Sequence, residues 1–365
     1  MPRKGRRDCR KSQSKNNPMN LRVEALQKEI RKTKKTGTTS AALGMNMEVD
    51  YDAGYILLHL DRYLRDKCAE FHVKGKPLGT PVPERSRLTS EMAPATPAEQ
   101  AVADKTPYLQ AVGSLIWAAA AVRVDVTHPV HQAARFMHNH GAAHWKSVRH
   151  VLRHLNASTA RPLVLGGPSE LILRIYADSN HVTSGYVEDP QQAARNLILA
   201  SEADEFNDPT VERDARDCRP TTGYVAFLGD SCISWSSRTQ HAISHSPTES
   251  EIKAVDEAVR EAVRLRQLLT EISPKLTQKA PTTIFCDSTG AIANSKNPCF
   301  KKKLKHMPQK FHYARECSAD KAVKLVKVAT KDNRADFLTK NLAAADHNRR
   351  LLSAGFRPSH VESDT

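Results

Sequence analysis

Apolar residues recur along this chain at two different spacings, and the change from one to the other divides it. Between Tyr108 and Leu155 the spacing is helical. Ala111, Val112, Leu115 and Ile116 fall on one face, and a second run extends from Pro129 through Leu155, with Arg123-Val124-Asp125 between the two. From Leu171 onward the order is strand, hairpin, helix, strand, helix, strand, helix. Leu171 to Ala177 reads as a buried strand ending at Asp178. Gly223–Leu228 and Cys232–Ser236 form a hairpin around Gly229-Asp230. Ile252, Val255, Val259, Val263 and Leu268 then mark one stripe of a long helix from Pro247 to Ile272. A strand at Thr282–Cys286, a short helix after Asp287, a strand at Val323–Val328 and a last helix opening near Asn333 complete the pattern. Strands alternating with helices predict an α/β layered domain.

Upstream, Leu43–Val49 and Tyr55–Leu58 read as two short strands around Asp52-Ala53-Gly54, followed by an amphipathic stretch near Tyr63. Residues 76–107 carry six of the 20 prolines and read as an extended linker.

Composition changes the picture at the N-terminus. The chain has 365 residues and a formal charge of +15, and its first 35 residues hold 13 of the 55 Lys and Arg but only 3 of the 40 Asp and Glu. Arg3, Lys4, Arg6 and Arg7 therefore form a candidate nucleic-acid-binding or nuclear-import cluster, with a solvated, disordered tail as the plain alternative. The basic balance points to a polyanionic partner and away from acidic substrates. The longest nearly apolar run, Ala111–Val122, is about half of a membrane span, so no membrane partner is expected. Seven cysteines without a CxxC pair argue against zinc or a disulfide framework and for a reducing, intracellular setting, cytoplasmic or nuclear.

Three acids stand where core packing does not need them. Asp178 and Asp287 each follow an apolar strand, the end at which open α/β sheets present ligands, although a lone Asp there is ordinarily a turn or cap residue. In the long helix, Ser246-Pro247-Thr248-Glu249 matches a helix start, which gives Glu249 a capping role. Glu251 shares the stripe of Val255, Ala258, Ala262 and Leu269, where an unpaired carboxylate is costly. Asp336 reads as the first turn of the final helix, where the macrodipole alone gives it about 0.3–1 kcal/mol of use. Together the four acids form a set of hard oxygen ligands without His or Cys, which suits Mg²⁺ or Mn²⁺. Two such ions about 4 Å apart serve phosphodiester hydrolysis.

Several strings resemble, in order, the ribonuclease H domain of copia-type LTR-retrotransposon polyproteins. They are Tyr176-Ala177-Asp178, Arg219-Pro220-Thr221-Thr222-Gly223-Tyr224-Val225, Ile233–Gln240, Ser246–Glu251, Cys286-Asp287-Ser288 and Ala335–Lys340. Leu43-Gly44-Met45, Tyr108–Ile116 and Arg123-Val124-Asp125 resemble the region that follows the reverse-transcriptase palm in the same polyproteins. The resemblance implies a ribonuclease H-like mixed sheet flanked by helices, preceded by a partial post-palm region. It also implies cleavage of the RNA strand of RNA–DNA hybrids with two Mg²⁺ or Mn²⁺ ions, and catalytic, metal-holding carboxylates at Asp178, Glu251, Asp287 and Asp336. Lys301, Lys302, Lys303 and Lys305 occupy the family's basic segment and are candidates for tracking hybrid phosphates, with a solvated loop as the alternative.

On this basis the chain is expected to divide into a basic tail (1–36), a reverse-transcriptase remnant (37–75), the linker (76–107), a helical connection region (108–165), the ribonuclease H-like domain (166–345, with an insertion at about 182–217) and a C-terminal tail (346–365). Two departures temper the implied activity. No Asp-Asp dipeptide occurs, so polymerase activity is not expected from this chain alone, and an intact reverse-transcriptase subunit becomes a candidate partner. The insertion carries the acidic stretch Ser201–Asp208 next to the metal site. The competing expectation is an inactive relic that binds nucleic acid through its basic tail.

Overall fold

A computed structural model of the chain describes residues 40–42, 44–51, 54–180, 219–241, 244, 246–296 and 313–356. The described part begins with an antiparallel sheet: β1 (Ser40–Ala42), β2 (Met45–Asp50), β3 (Tyr55–His59) and, arriving from much later in the chain, β4 (Leu163–Gly166). Between β3 and β4 lie α1 (Asp61–Glu70), α2 (Pro97–Asp104), α3 (Tyr108–Ala121), α4 (Thr127–Ala134) and α5 (Ala142–Asn156). Two expectations change here. The proline-rich stretch is not wholly extended, because Thr96 accepts from the Glu99 N–H, the Glu99 carboxylate accepts from the Thr96 N–H, and Pro97 opens α2. The run from Pro129 to Leu155 is two helices, interrupted before Gly141, whose N–H is taken by His144 Nδ1.

The second sheet contains β5 (Leu173–Asn180), β6 (Thr221–Leu228), β7 (Ser231–Thr239), β8 (Thr282–Cys286) and β9 (Val323–Lys327), in the order β7-β6-β5-β8-β9. β5, β6 and β7 pair antiparallel, whereas β8 joins β5 and β9 joins β8 in parallel. The helices of this part are α6 (Pro247–Ile272), α7 (Thr289–Lys296), α8 (Tyr313–Ala319) and α9 (Ala344–Ser353). Strand alternation sends Leu173, Ile175, Ala177 and Ile284 into one core with Ile252, Val255, Ala258, Val259 and Ala262 of α6. Tyr176, Val225 and Phe227 pack into the other core, with Val112, Leu115 and Val148 of the upstream helices. This is the mixed sheet flanked by helices that the sequence implies.

That second core crosses the boundary placed at residue 166. Trp235 of β7 donates its indole N–H to the Ala119 carbonyl at 2.8 Å, and Leu351, Ala354 and Phe356 are buried in the same cluster. The stretch after residue 345 is thus helical and packed as far as Phe356, which pairs with Leu163. Its apolar signal is too short to stand out from a tail pattern. Nor does a helix open near Asn333. The chain makes 3₁₀ turns at Thr330–Asp332 and Asp336–Leu338, because Asn333 uses its side chain to accept the Ala335 N–H and to donate to the Ala177 carbonyl at 3.0 Å. Among the described residues, no helix is long and apolar enough to cross a membrane.

Candidate active site

Parallel pairing of β5 with β8 brings two acids to one end of the sheet. Tyr176 is the register partner of Phe285, and Asp178 and Asp287 each lie two residues further on. Asp178 falls within β5, which runs on to Asn180, and its antiparallel partner is Gly223. The third acid comes from α6, whose first turn is fixed by Ser246. That hydroxyl accepts from the Glu249 N–H at 3.2 Å, and Pro247 sets the first helical residue. Glu249 itself pairs with Lys253 at 2.9 Å. Glu251, one turn into the helix, turns toward the strand ends. One oxygen each from Asp178, Glu251 and Asp287 lies within 4.8 Å of the other two.

Two glycines permit this convergence. A Cβ on Gly223 would meet Thr339 Cγ2 at 2.8 Å and Leu338 Cβ at 2.9 Å, so only glycine lets the Asp336–Thr339 segment lie against β6. A Cβ on Gly290 would meet Thr248 Cγ2 at 2.7 Å, so glycine also lets α7 pack against the first turn of α6. Gln240 ties the strand ends to that turn. Its amide donates to the Thr222 hydroxyl at 2.9 Å and to the Ser250 carbonyl at 3.0 Å.

The electrostatics of the three acids are unfavourable without a cation. Burial first, then the charges of Asp178 and Asp287, pushes Glu251 up to about 9. Burial likewise raises Asp178, reinforced by Asp336 and Asp287 and opposed by Lys340 and the Thr339 hydroxyl bond. Glu251 Oε2 is buried without a hydrogen-bond partner. The other oxygens are steadied from outside the cluster. Thr339 Oγ1 donates to Asp178 Oδ2, Asn333 Nδ2 lies 3.4 Å from Asp178 Oδ1, and Thr330 Oγ1 donates to Asp287 Oδ2 at 2.8 Å. An all-oxygen donor set with an unsatisfied buried carboxylate oxygen fits a hard divalent cation.

Asp336 is placed differently from its three companions. It sits in a 3₁₀ turn, buried, with Oδ1 2.7 Å from Lys340 Nζ and Oδ2 2.7 Å from Arg350 Nη2. Lys340 also stands 3.6 Å from Asp178 Oδ2. Arg350 Nη1 donates to the Asn333 carbonyl and Nη2 reaches the Thr330 carbonyl at 3.3 Å, so one guanidinium holds the loop that supplies both Thr330 and Asn333.

Thr330, Asn333, Thr339, Lys340 and Arg350 were not singled out from the sequence. Thr339 and Lys340 lay within the Ala335–Lys340 string, which was the available signal. Arg350 had none, because its partners are brought to it only by the fold. Of the candidate nucleic-acid contacts, Arg3, Lys4, Arg6, Arg7, Lys301, Lys302, Lys303 and Lys305 lie outside the described residues, as does the insertion at 182–217.

No protein-family model matches the chain. Among curated proteins it is 31% identical over 308 residues to the retrovirus-related Pol polyprotein from transposon TNT 1-94 of Nicotiana tabacum, an overlap of 84% of this chain and 21% of that protein. It is 30% identical over 289 residues to the retrovirus-related Pol polyprotein from transposon RE2 of Arabidopsis thaliana, covering 78% of this chain and 17% of that protein. The chain thus spans about a fifth of the length of these curated relatives. Among solved structures, LC11 ribonuclease H1 in complex with an RNA/DNA hybrid aligns at 14% identity and a TM-score of 0.28, over 46% of this chain and 93% of that one. Across most of its length, the chain is homologous to the copia-type, retrovirus-related Pol polyproteins of transposons.

Proposed function

We propose that this chain is a retrotransposon ribonuclease H that hydrolyses the RNA strand of RNA–DNA hybrids in a divalent-ion-dependent reaction. The observation that carries the reading is the convergence of Asp178, Glu251 and Asp287 at one sheet end, with a buried Glu251 oxygen left without a partner. Mg²⁺ or Mn²⁺ bound there supplies a polarised phosphate and an activated water. The chain's own groups supply position. Thr339 and Asn333 orient Asp178, Thr330 orients Asp287, and Ser246 fixes the helix turn that carries Glu251. Asp336 belongs to the set as the acid that holds Lys340 beside Asp178.

In this reading the basic segments at Arg3–Arg7 and Lys301–Lys305 track phosphates of the hybrid. This stretch carries no Asp-Asp dipeptide, so the reading assigns it no DNA synthesis and takes an intact reverse-transcriptase subunit as a candidate partner. The test is incubation of the purified chain with a hybrid labelled on each strand. RNA-strand cleavage in Mg²⁺ or Mn²⁺, abolished by Asp178→Asn and Asp287→Asn, is expected; intact RNA in both ions rejects the activity. The concentration of basic residues in the first 35 positions favours a second reading, nucleic-acid binding without cleavage. In that case removal of residues 1–35 abolishes binding to the hybrid, and retention of tight binding rejects it.

A further inference from the structure

The charges gathered around the site do not match two divalent ions. Asp178, Glu251, Asp287 and Asp336 bring four carboxylates, and Lys340 and Arg350 bring two cations into direct contact with them. With all four carboxylates ionised, as ion binding requires, the remainder of two negative charges is balanced by one divalent ion, while a second leaves an equal positive excess in a largely buried place. Asp336 is also short of free oxygens. Its Oδ1 is held by Lys340 and its Oδ2 by Arg350, each at 2.7 Å.

The two cations differ in freedom. The Arg350 side chain is 7% exposed and is anchored on the Asn333 and Thr330 carbonyls as well as on Asp336. Lys340 is 38% exposed and spans from Asp336 Oδ1 to within 3.6 Å of Asp178 Oδ2. Resting on the nuclease reading of this site, we propose that Lys340 is its built-in second cation, so that without nucleic acid the cluster takes up one divalent ion and not two. Departure of the Lys340 ammonium toward solvent frees Asp336 Oδ1. An incoming phosphate brings the negative charge that compensates a further ion.

The experiment is calorimetric titration of the full, nucleic-acid-free chain with Mn²⁺, supported by the electron paramagnetic resonance signal of free Mn²⁺. The wild type is expected to bind one ion. Lys340→Met is expected to bind two, the first about tenfold more tightly because a nearby positive charge is gone. Lys340→Arg keeps a cation in place and is expected to remain at one. Far-UV circular dichroism of each variant establishes that it is folded. Two ions on the wild type, or one ion at unchanged affinity on folded Lys340→Met, overturn the role of Lys340 and leave the nuclease reading standing. A wild type that binds no Mn²⁺ overturns both.

Discussion

Two of the buried charge clusters among the described residues are built on opposite principles. In the connection between α3 and α4, Arg123 and Asp125 are both wholly buried. Arg123 Nε and Nη2 meet the two Asp125 oxygens at 2.8 and 2.5 Å, Nη1 donates to the Ser158 carbonyl and Nη2 also donates to the Ser158 hydroxyl, each at 2.8 Å. His154 completes the set, 3.2 Å from Asp125 and 2.9 Å from the Leu78 carbonyl. Burial tends to raise Asp125, but the Arg123 charge and hydrogen bonds outweigh it and hold the carboxyl well below the usual range. At the sheet end, three acids crowd together and the same burial wins, leaving Glu251 at about 9. The first cluster is complete as built and locks a junction. The second leaves a buried Glu251 oxygen without a partner, and on the proposed reading this incompleteness is what a divalent ion fills.

Exchanging an acid for its amide in each cluster gives the largest contrast. Asp178→Asn is expected to lower hybrid cleavage on the order of 10³-fold, about 4 kcal/mol of transition-state stabilisation, while the thermal midpoint holds or rises because a repulsion has been removed. Asp125→Asn is expected to do the reverse. It leaves Arg123 buried without its counter-charge and costs about 3–5 kcal/mol of stability in denaturant titration, with Mn²⁺ affinity unchanged in the folded fraction. A large stability loss from Asp178→Asn breaks the contrast.

The pH dependence of stability separates the clusters next. With ions chelated, Glu251 binds a proton in the folded state up to about 9 but releases it near 4.5 when unfolded, so its contribution falls as pH rises through that window. Asp125 is depressed, so its contribution is present above about 3.8 and is lost only as acid carries the pH toward its low folded value. His347, lowered to about 4 chiefly by burial, adds to the acid side, losing stability as pH falls from 6.5. Thermal melts across pH are expected to show an alkaline decline that Glu251→Gln flattens and Mg²⁺ reverses. An alkaline limb indifferent to both overturns the account of the cluster.

What the sequence disclosed follows the range of the interactions involved. The start of α6 is legible because Ser246 and Pro247 act within one turn, although the Glu249 carboxylate pairs with Lys253, and the inward face of Glu251 because Val255, Ala258 and Ala262 repeat at helical spacing. That Asp178 and Asp287 stand at one end of the sheet is legible because each follows an apolar run, although β5 continues past Asp178 to Asn180. Asp336 was misplaced on a helix because the side chain that breaks the helical pattern, Asn333, does so by reaching Ala177, 156 positions away. Thr339 reaches Asp178 across 161 positions, and neither partner carries a local mark of it. Pairing information of this kind exists only once the sheet has formed.

Gly223→Ala probes how tightly the loop must lie on the sheet. The added methyl would sit 2.8 Å from Thr339 Cγ2, so Thr339 and Leu338 must withdraw. An overpacking cost of about 1–3 kcal/mol is expected, with weakened Mn²⁺ binding because Thr339 then loses Asp178. The Arg123–Asp125 pair is expected to hold, because its bonds run to Ser158 and His154, even though Phe337 lines the same small cavity as Asp125.

The smallest effect sharpens the comparison most, because it removes one serine hydroxyl from each cluster. Ser158→Ala and Ser246→Ala each delete one hydroxyl that accepts a single N–H, from Arg123 Nη2 at 2.8 Å and from Glu249 at 3.2 Å, and the Ser158 hydroxyl in addition donates to the His154 carbonyl at 2.9 Å. Each is expected to cost about 1 kcal/mol, the first because Arg123 keeps its bonds to Asp125, the second because a helix cap is lost. Stability alone cannot tell them apart. Ion affinity can: Ser246 holds the turn that aims Glu251, so its loss is expected to weaken Mn²⁺ binding several-fold, about 1 kcal/mol, while Ser158→Ala leaves it unchanged. Equal weakening by both would mean that the junction at Arg123 and the sheet end behave as one electrostatic unit, and the division between a finished charge cluster and an unfinished one would have to be given up.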